Sequence, residues 1–165
     1  MNALIGSLLP TLIALYDDAE IKEKRDLVED GLMAARAASE MGIVPGGGTM
    51  LVRAADALAD FTTGNADQDV GVHILRQALQ VPFQEIIRNG GGSSEVILNA
   101  VRSNDNPNYG YDSSADRYCD MLEMGIVDPA KVLIGEIEHA CSMAGLILST
   151  DCVIGIETEI VRPQT

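Results

Sequence analysis

Two triple-glycine clusters, Gly46-Gly47-Gly48 and Gly90-Gly91-Gly92, cut a 165-residue chain into segments that otherwise read as helices. Glycine reaches left-handed dihedrals that other residues avoid, so each cluster ends one element and frees the next to start in a new direction. Ahead of the first cluster, Asp17–Glu40 sets Ile21, Val28, Leu32 and Ala35 on one helical face, at spacings of seven, four and three. Its remaining positions carry Glu20, Lys22, Glu23, Lys24, Arg25 and Asp26, a solvated face with i,i+4 charge pairs. Gly42 and Pro45 stop this helix. A second helical pattern runs through Met50, Leu51, Ala54, Ala55, Leu58 and Phe61. Asn65 is placed to cap a third, which ends near Arg88 and which Pro82 should kink or split.

Beyond the second cluster, Ser93 or Ser94 can cap a short helix over Glu95–Val101. Ser103–Asp112, dense in Asn, Asp, Pro and Gly, reads as irregular, and Asp116–Met124 as a short amphipathic stretch. Asp128-Pro129 looks like an N-cap followed by a proline at the first helical position. Helical periodicity then continues through Val132, Ile134, Ile137, Ala140, Met143 and Leu146. Only the first ~15 residues and Cys152–Val161 have strand-like patterning, and both are candidate edges for another chain. The expected fold is mainly α.

Composition narrows the function classes. Eleven basic against 25 acidic residues give a formal charge of −14, a field that repels phosphate backbones and anionic lipid. A nucleic-acid or membrane-surface role is therefore not expected, although backbone amides and a metal ion could still hold a nucleotide. Cys119, Cys141 and Cys152 show no CxxC spacing, so reduced thiols packed as small core hydrophobes in a cytoplasmic protein are expected. The apolar opening, Ala3–Tyr16, lacks the basic flank of a signal peptide and contains Pro10. His73 and His139 have no second ligand at i+4, so no metal site is expected. Pro45-Gly46-Gly47-Gly48 opening a helix could bring backbone close to a nucleotide, though such a run is more often a tight turn. No Lys-Ser or Lys-Thr pair follows it, which excludes a GxxxxGK[ST] loop.

Taken in order, the segments resemble the bacterial-type (group I) chaperonins. The resemblance is carried by Val28-Glu29-Asp30, Met41-Gly42-Ile43-Val44-Pro45-Gly46-Gly47-Gly48 and Asn65-Ala66-Asp67-Gln68. It continues through Asn106–Asp112 (NPNYGYD), Met124-Gly125-Ile126-Val127-Asp128-Pro129, Ser142-Met143-Ala144-Gly145-Leu146 and Thr150-Asp151-Cys152. These collinear blocks span about residues 18–155, while 1–15 match poorly. The resemblance implies a helical bundle of the equatorial-domain type with a projecting long helix and short terminal β segments. It divides the chain into a poorly matched segment 1–16, an intermediate-domain-like helix 17–41 and a partial equatorial-like domain 42–165.

Residue by residue, the resemblance makes Asp30 the acidic group that helps activate the water attacking the γ-phosphate. It makes Gly47 the glycine lying against the nucleotide, and Tyr111, Asp112, Ser113 and Ser114 the adenine-side stretch. Ile126 becomes the apolar contact to the base and Asp128 the carboxylate that binds the ribose. ATP and magnesium are the implied cofactors. The implied partners are other chaperonin-like subunits or further copies of the chain, with unfolded clients reached only through a complete ring.

Two departures qualify this. Asp112 stands where the family usually has Asn, turning an amide that can donate into an acceptor-only carboxylate. The family's Gly-Asp-Gly-Thr-Thr phosphate loop, with its metal-binding and second catalytic aspartates, has no counterpart in this sequence. Nor do its substrate-binding apical domain and its Gly-Met-rich tail. The expectation is a partial chaperonin subunit, inactive as an ATPase alone. The alternatives are a non-catalytic module that self-associates or docks onto a chaperonin ring, and an autonomous small nucleotide-binding protein.

Overall fold

The computed structural model describes residues 18–152 and residue 154, with side chains from Lys22 onward. Its first element is the helix α1, Asp18–Met41, which closes at Gly42 with φ 82° and a 2.8 Å bond from the Gly42 amide to the Ala38 carbonyl. This is a left-handed C-terminal cap, as the Gly42 stop predicts. Every side chain from Lys22 to Met33 is exposed, including Val28 and Leu32 of the apolar stripe. Four short helices follow: α2, Thr49–Ala57; α3, Ala66–Ala78; α4, Val81–Asn89; and α5, Ser94–Arg102.

Local chemistry accounts for these boundaries. Asn65 caps α3 as expected, its side chain accepting from the Asp67 amide at 2.9 Å and the Gln68 amide at 3.4 Å. The third pattern breaks at Leu79-Gln80, and Pro82 falls in the first turn of α4, where its missing N–H is not needed. Ser93 occupies the N-cap position of α5, but its side chain makes no capping bond. The second helix stops at Ala57, earlier than the apolar pattern predicts, and leaves Phe61 exposed in the following turn.

The core lies between α2, α4 and α5. Val52, Phe83, Ile87, Ile97, Leu98 and Val101 form one buried cluster with Tyr111, and Tyr109 packs against it. Gly48 is required at the entry to α2. Its φ is 77°, and a Cβ there would lie 2.8 Å from the Phe83 backbone. Arg76 Nε reaches the Ala55 carbonyl at 3.2 Å and ties α3 to α2.

The irregular reading of Ser103–Asp112 and the amphipathic reading of 116–124 are corrected by a hairpin. Strand β2, Tyr109–Asp112, pairs antiparallel with β3, Arg117–Asp120, in the register Tyr111↔Tyr118. The Asn-rich run forms Asx turns ahead of it: Asn104 Oδ1 accepts from the Asn106 amide and Asn106 Oδ1 from the Asn108 amide, each at 2.9 Å. Tyr109 stacks on Tyr118 at 5.7 Å, and Tyr111 meets it edge-on at 5.2 Å, cross-strand contacts that outweigh the turn-like composition.

A second correction concerns Asp128-Pro129. These residues belong to strand β4, Val127–Pro129, which pairs with β1, Ile43–Pro45, and the helix α6 begins at Ala130 and runs to Leu148. The ladder takes up this backbone, and Gly42 supplies the acceptor for the Ala130 amide at 3.1 Å. Asp128 is therefore a strand residue, not an N-cap.

The described chain divides between Val132 and Leu133 into two compact units. The core belongs to the first, while α6 buries no side chain and exposes Met143, Leu146, Ile147 and Leu148. The expectation of core cysteines fails at two positions: Cys141 and Cys152 are exposed, and only Cys119 is half-buried. No helix among the described residues is long and apolar enough to cross a membrane. Leu8–Ala14 and most of Cys152–Val161 lie outside the described residues.

Candidate functional site

The β1–β4 ladder builds the centre of the site. Its register, Val44↔Asp128 and Pro45↔Val127, lays the start of the glycine cluster alongside Ile126–Asp128. Just past the ladder, the Gly46 amide donates to the Ile126 carbonyl at 3.0 Å. A Cβ on Gly46 would stand 3.1 Å from the Val127 backbone, so a side chain there would push the two segments apart by a few tenths of an ångström. Gly47, Ile126 and Asp128 are thus brought together from positions far apart in sequence.

Asp128 is the electrostatically distinctive member. Its carboxylate is half-buried and has no hydrogen bond or ion pair among the described residues. Burial pushes its pKa above the ordinary carboxylate value, because desolvation disfavours the charged form. A partly desolvated acceptor without a donor beside a glycine loop suits a ligand that brings hydroxyl donors. Gly47 adds a surface without a side chain at φ 62°, and Ile126 an intermediate-exposure apolar residue.

The hairpin carries the other sequence-predicted residues. The Tyr111 ring is part of the core, and its hydroxyl donates to the Asp116 carboxylate, which with burial pushes its pKa up to about 12. Asp112 turns onto its own loop. Its Oδ1 accepts from the Ser114 hydroxyl at 2.7 Å, the Ser114 amide at 3.1 Å and the Ala115 amide at 3.2 Å. Those bonds, led by the Ser114 hydroxyl and helped by Arg117 at 3.8 Å, hold its pKa below the ordinary value. Ser113 donates to the Ile86 carbonyl at 3.4 Å, joining the hairpin tip to α4. The tip stands ~10 Å from Gly110 at the usual strand rise.

Asp30 lies on the exposed part of α1, eleven residues before its end, or ~16 Å along the helix axis. No hydrogen bond joins it to the other candidate residues among those described. No cluster of three or more His, Cys, Asp or Glu side chains arranged to hold a metal occurs among the described residues.

Two residues that sequence reasoning missed hold these pieces together. Arg53 Nη2 donates to the carbonyls of Asn106 at 2.9 Å and Tyr109 at 3.4 Å, fixing the hairpin entry to α2. Met121, 1% exposed, links β3 to Ile126 through a 2.8 Å bond from the Ile126 amide to its carbonyl. A buried arginine stem and a methionine after a strand carry no local signal; their partners are assembled only by the fold. The model of the TCP-1/cpn60 chaperonin family matches residues 11–157.

Proposed function

The chain belongs to the TCP-1/cpn60 chaperonin family, and we propose that it supplies the C-terminal part of a nucleotide-binding equatorial-type domain of the group I kind. In this reading Asp128 accepts from ribose hydroxyls, Gly47 lies against the sugar and Ile126 packs on the purine. Ser113, Ser114 and the Tyr111–Asp112 backbone line the adenine side. The supporting observation is the donor-less, half-buried Asp128 carboxylate next to the Gly46-Gly47 turn.

ATP with magnesium is the cofactor the family implies, and the residues present fit its nucleoside end. When bound, the nucleotide supplies a phosphoanhydride whose cleavage drives the folding cycle of a complete ring. Within this chain, Asp128 and Ile126 bind and orient the nucleoside. Asp30 would hold a water once α1 is brought to the phosphates. Phosphoryl transfer depends on amide and metal neutralisation of the phosphates, and the reading assigns that to a complementary segment. The exposed apolar side chains of α6 support such a partner, a further chaperonin-like subunit, and equally support the alternative of a non-catalytic docking module.

Titrating the isotopically labelled chain with adenosine tests the reading. Amide shifts centred on Gly47, Ile126 and Asp128, weakened in Asp128→Asn, are expected. No shift at millimolar adenosine would overturn it.

A further inference from the structure

We infer that Met121 is a positioning residue that seats the Gly47 turn and Ile126 on the backbone of the β2–β3 hairpin. This inference rests on the nucleoside reading of those residues. Met121 touches both flanks at once. Its Cε lies 3.2 Å from where a Gly47 Cβ would stand. Through its backbone it accepts the Ile126 amide at 2.8 Å and donates to the Asn108 carbonyl at 2.9 Å.

The side chain is held along its whole length. Cγ and Sδ lie 2.5 and 2.8 Å from the position of a Gly110 Cβ, so the thioether runs over bare backbone that only glycine leaves open. The Cys119 thiol donates to Sδ at 3.8 Å. An unbranched four-atom chain suits this path. β-Branched residues and leucine lack the terminal methyl and would lose the contact with Gly47. A buried spacer between Gly47 and Gly110 fixes how the turn sits on the hairpin, and a nucleoside resting on Gly47 and Ile126 reads that placement as affinity.

Two variants in the full chain test this: Met121→Leu, which keeps most of the volume, and Met121→Ala, which removes it. Adenosine affinity is expected to fall about threefold in the first and about tenfold or more in the second, at a temperature where both are folded. Without ligand, amide exchange should quicken at Gly46 and Ile126 while staying unchanged at Leu98 and Val101. Wild-type affinity in both variants, alongside weakened binding by Asp128→Asn, overturns the role of Met121 and leaves the nucleoside reading intact. Exchange that quickens equally at Val101 and Ile126 also overturns it, since the residue is then only core. Absence of adenosine binding by the wild-type chain removes the nucleoside reading, while the exchange measurement still decides whether Met121 seats Gly47 and Ile126 on the hairpin. If Met121→Ala does not fold, Met121→Leu carries both measurements.

Discussion

Gly46 donates its amide to the carbonyl of Ile126, 80 positions further along the chain, at 3.0 Å, so the turn before α2 and the strand before α6 form one piece of structure. The absence of a side chain on Gly46 keeps the approach to the Val127 backbone free of a tight 3.1 Å contact. Gly46→Ala should therefore cost about 1–3 kcal/mol by overpacking against atoms that cannot move aside. Gly48→Ala should be worse, about 2–5 kcal/mol, because a left-handed φ of 77° adds to a 2.8 Å approach to Phe83. Urea unfolding of the two variants checks the order; equal stability to wild type would contradict it.

Asp128→Asn should separate binding from stability. The folded-state pKa of Asp128 is raised by burial. Its contribution is therefore most favourable below the unfolded pKa and is lost as pH rises through the folded value. At neutral pH the ionised, partly desolvated carboxylate is a liability, and the amide variant should melt at a higher temperature while binding adenosine more weakly. The difference in melting temperature should shrink toward pH 4. A variant less stable than wild type at pH 7 would show that Asp128 has a stabilising partner.

Asp112 works in the opposite direction. Its pKa is depressed, first by the Ser114 hydroxyl, so its stabilisation is present above the unfolded pKa and disappears as pH falls through the folded one. Asp112→Asn keeps an Oδ1 acceptor for the turn, loses the exposed Arg117 pair at little cost, and presents an N–H donor. The expected outcome is slightly tighter adenosine binding, less acid sensitivity and little change in stability at neutral pH. Weaker adenosine binding in this variant would refute the expectation.

The chain alone should show no ATPase activity. In the proposed function Asp30 does no more than orient a water, and the electrostatic clamp on the phosphates is assigned to a complementary segment. Phosphate release above background that disappears in Asp30→Ala would refute this. Release that appears only on adding a complementary subunit would support the partial-subunit reading over the docking module.

Self-association should depend on the C-terminal residues. Val153–Glu157 (VIGIE) is apolar enough to be costly in water at ~25 cal/mol per Å². Light scattering of the full chain and of one trimmed of residues 153–165 should give a larger mass for the first. Two monodisperse monomers at tens of micromolar would end the idea.

The glycine clusters, Asn65 and Pro82 were legible because each acts on its immediate neighbours. A left-handed turn, a side-chain cap and a missing N–H need no tertiary partner. Gly47, Ile126 and Asp128 were legible as a group only through the resemblance of their blocks, because nothing local says that positions 47 and 126 meet. The hairpin was not legible, since its Asn, Pro and Gly content is that of a loop. The Tyr109, Tyr111 and Tyr118 contacts that make it a sheet exist only once the strands pair.

Asp128 marks where one level ends and the other begins. Asp followed by Pro is a sound local signal for a helix start, and α6 does begin two residues later, at Ala130. Pairing with Val44 draws Asp128 and Pro129 into a strand, strips the carboxylate of its capping role and leaves it half-buried without a donor. Short-range sterics and hydrogen bonding decided from sequence alone where this chain is helical and where it turns. Only long-range pairing decided which carboxylate is left half-buried without a donor, because desolvation and the absence of a partner are properties of assembled surroundings.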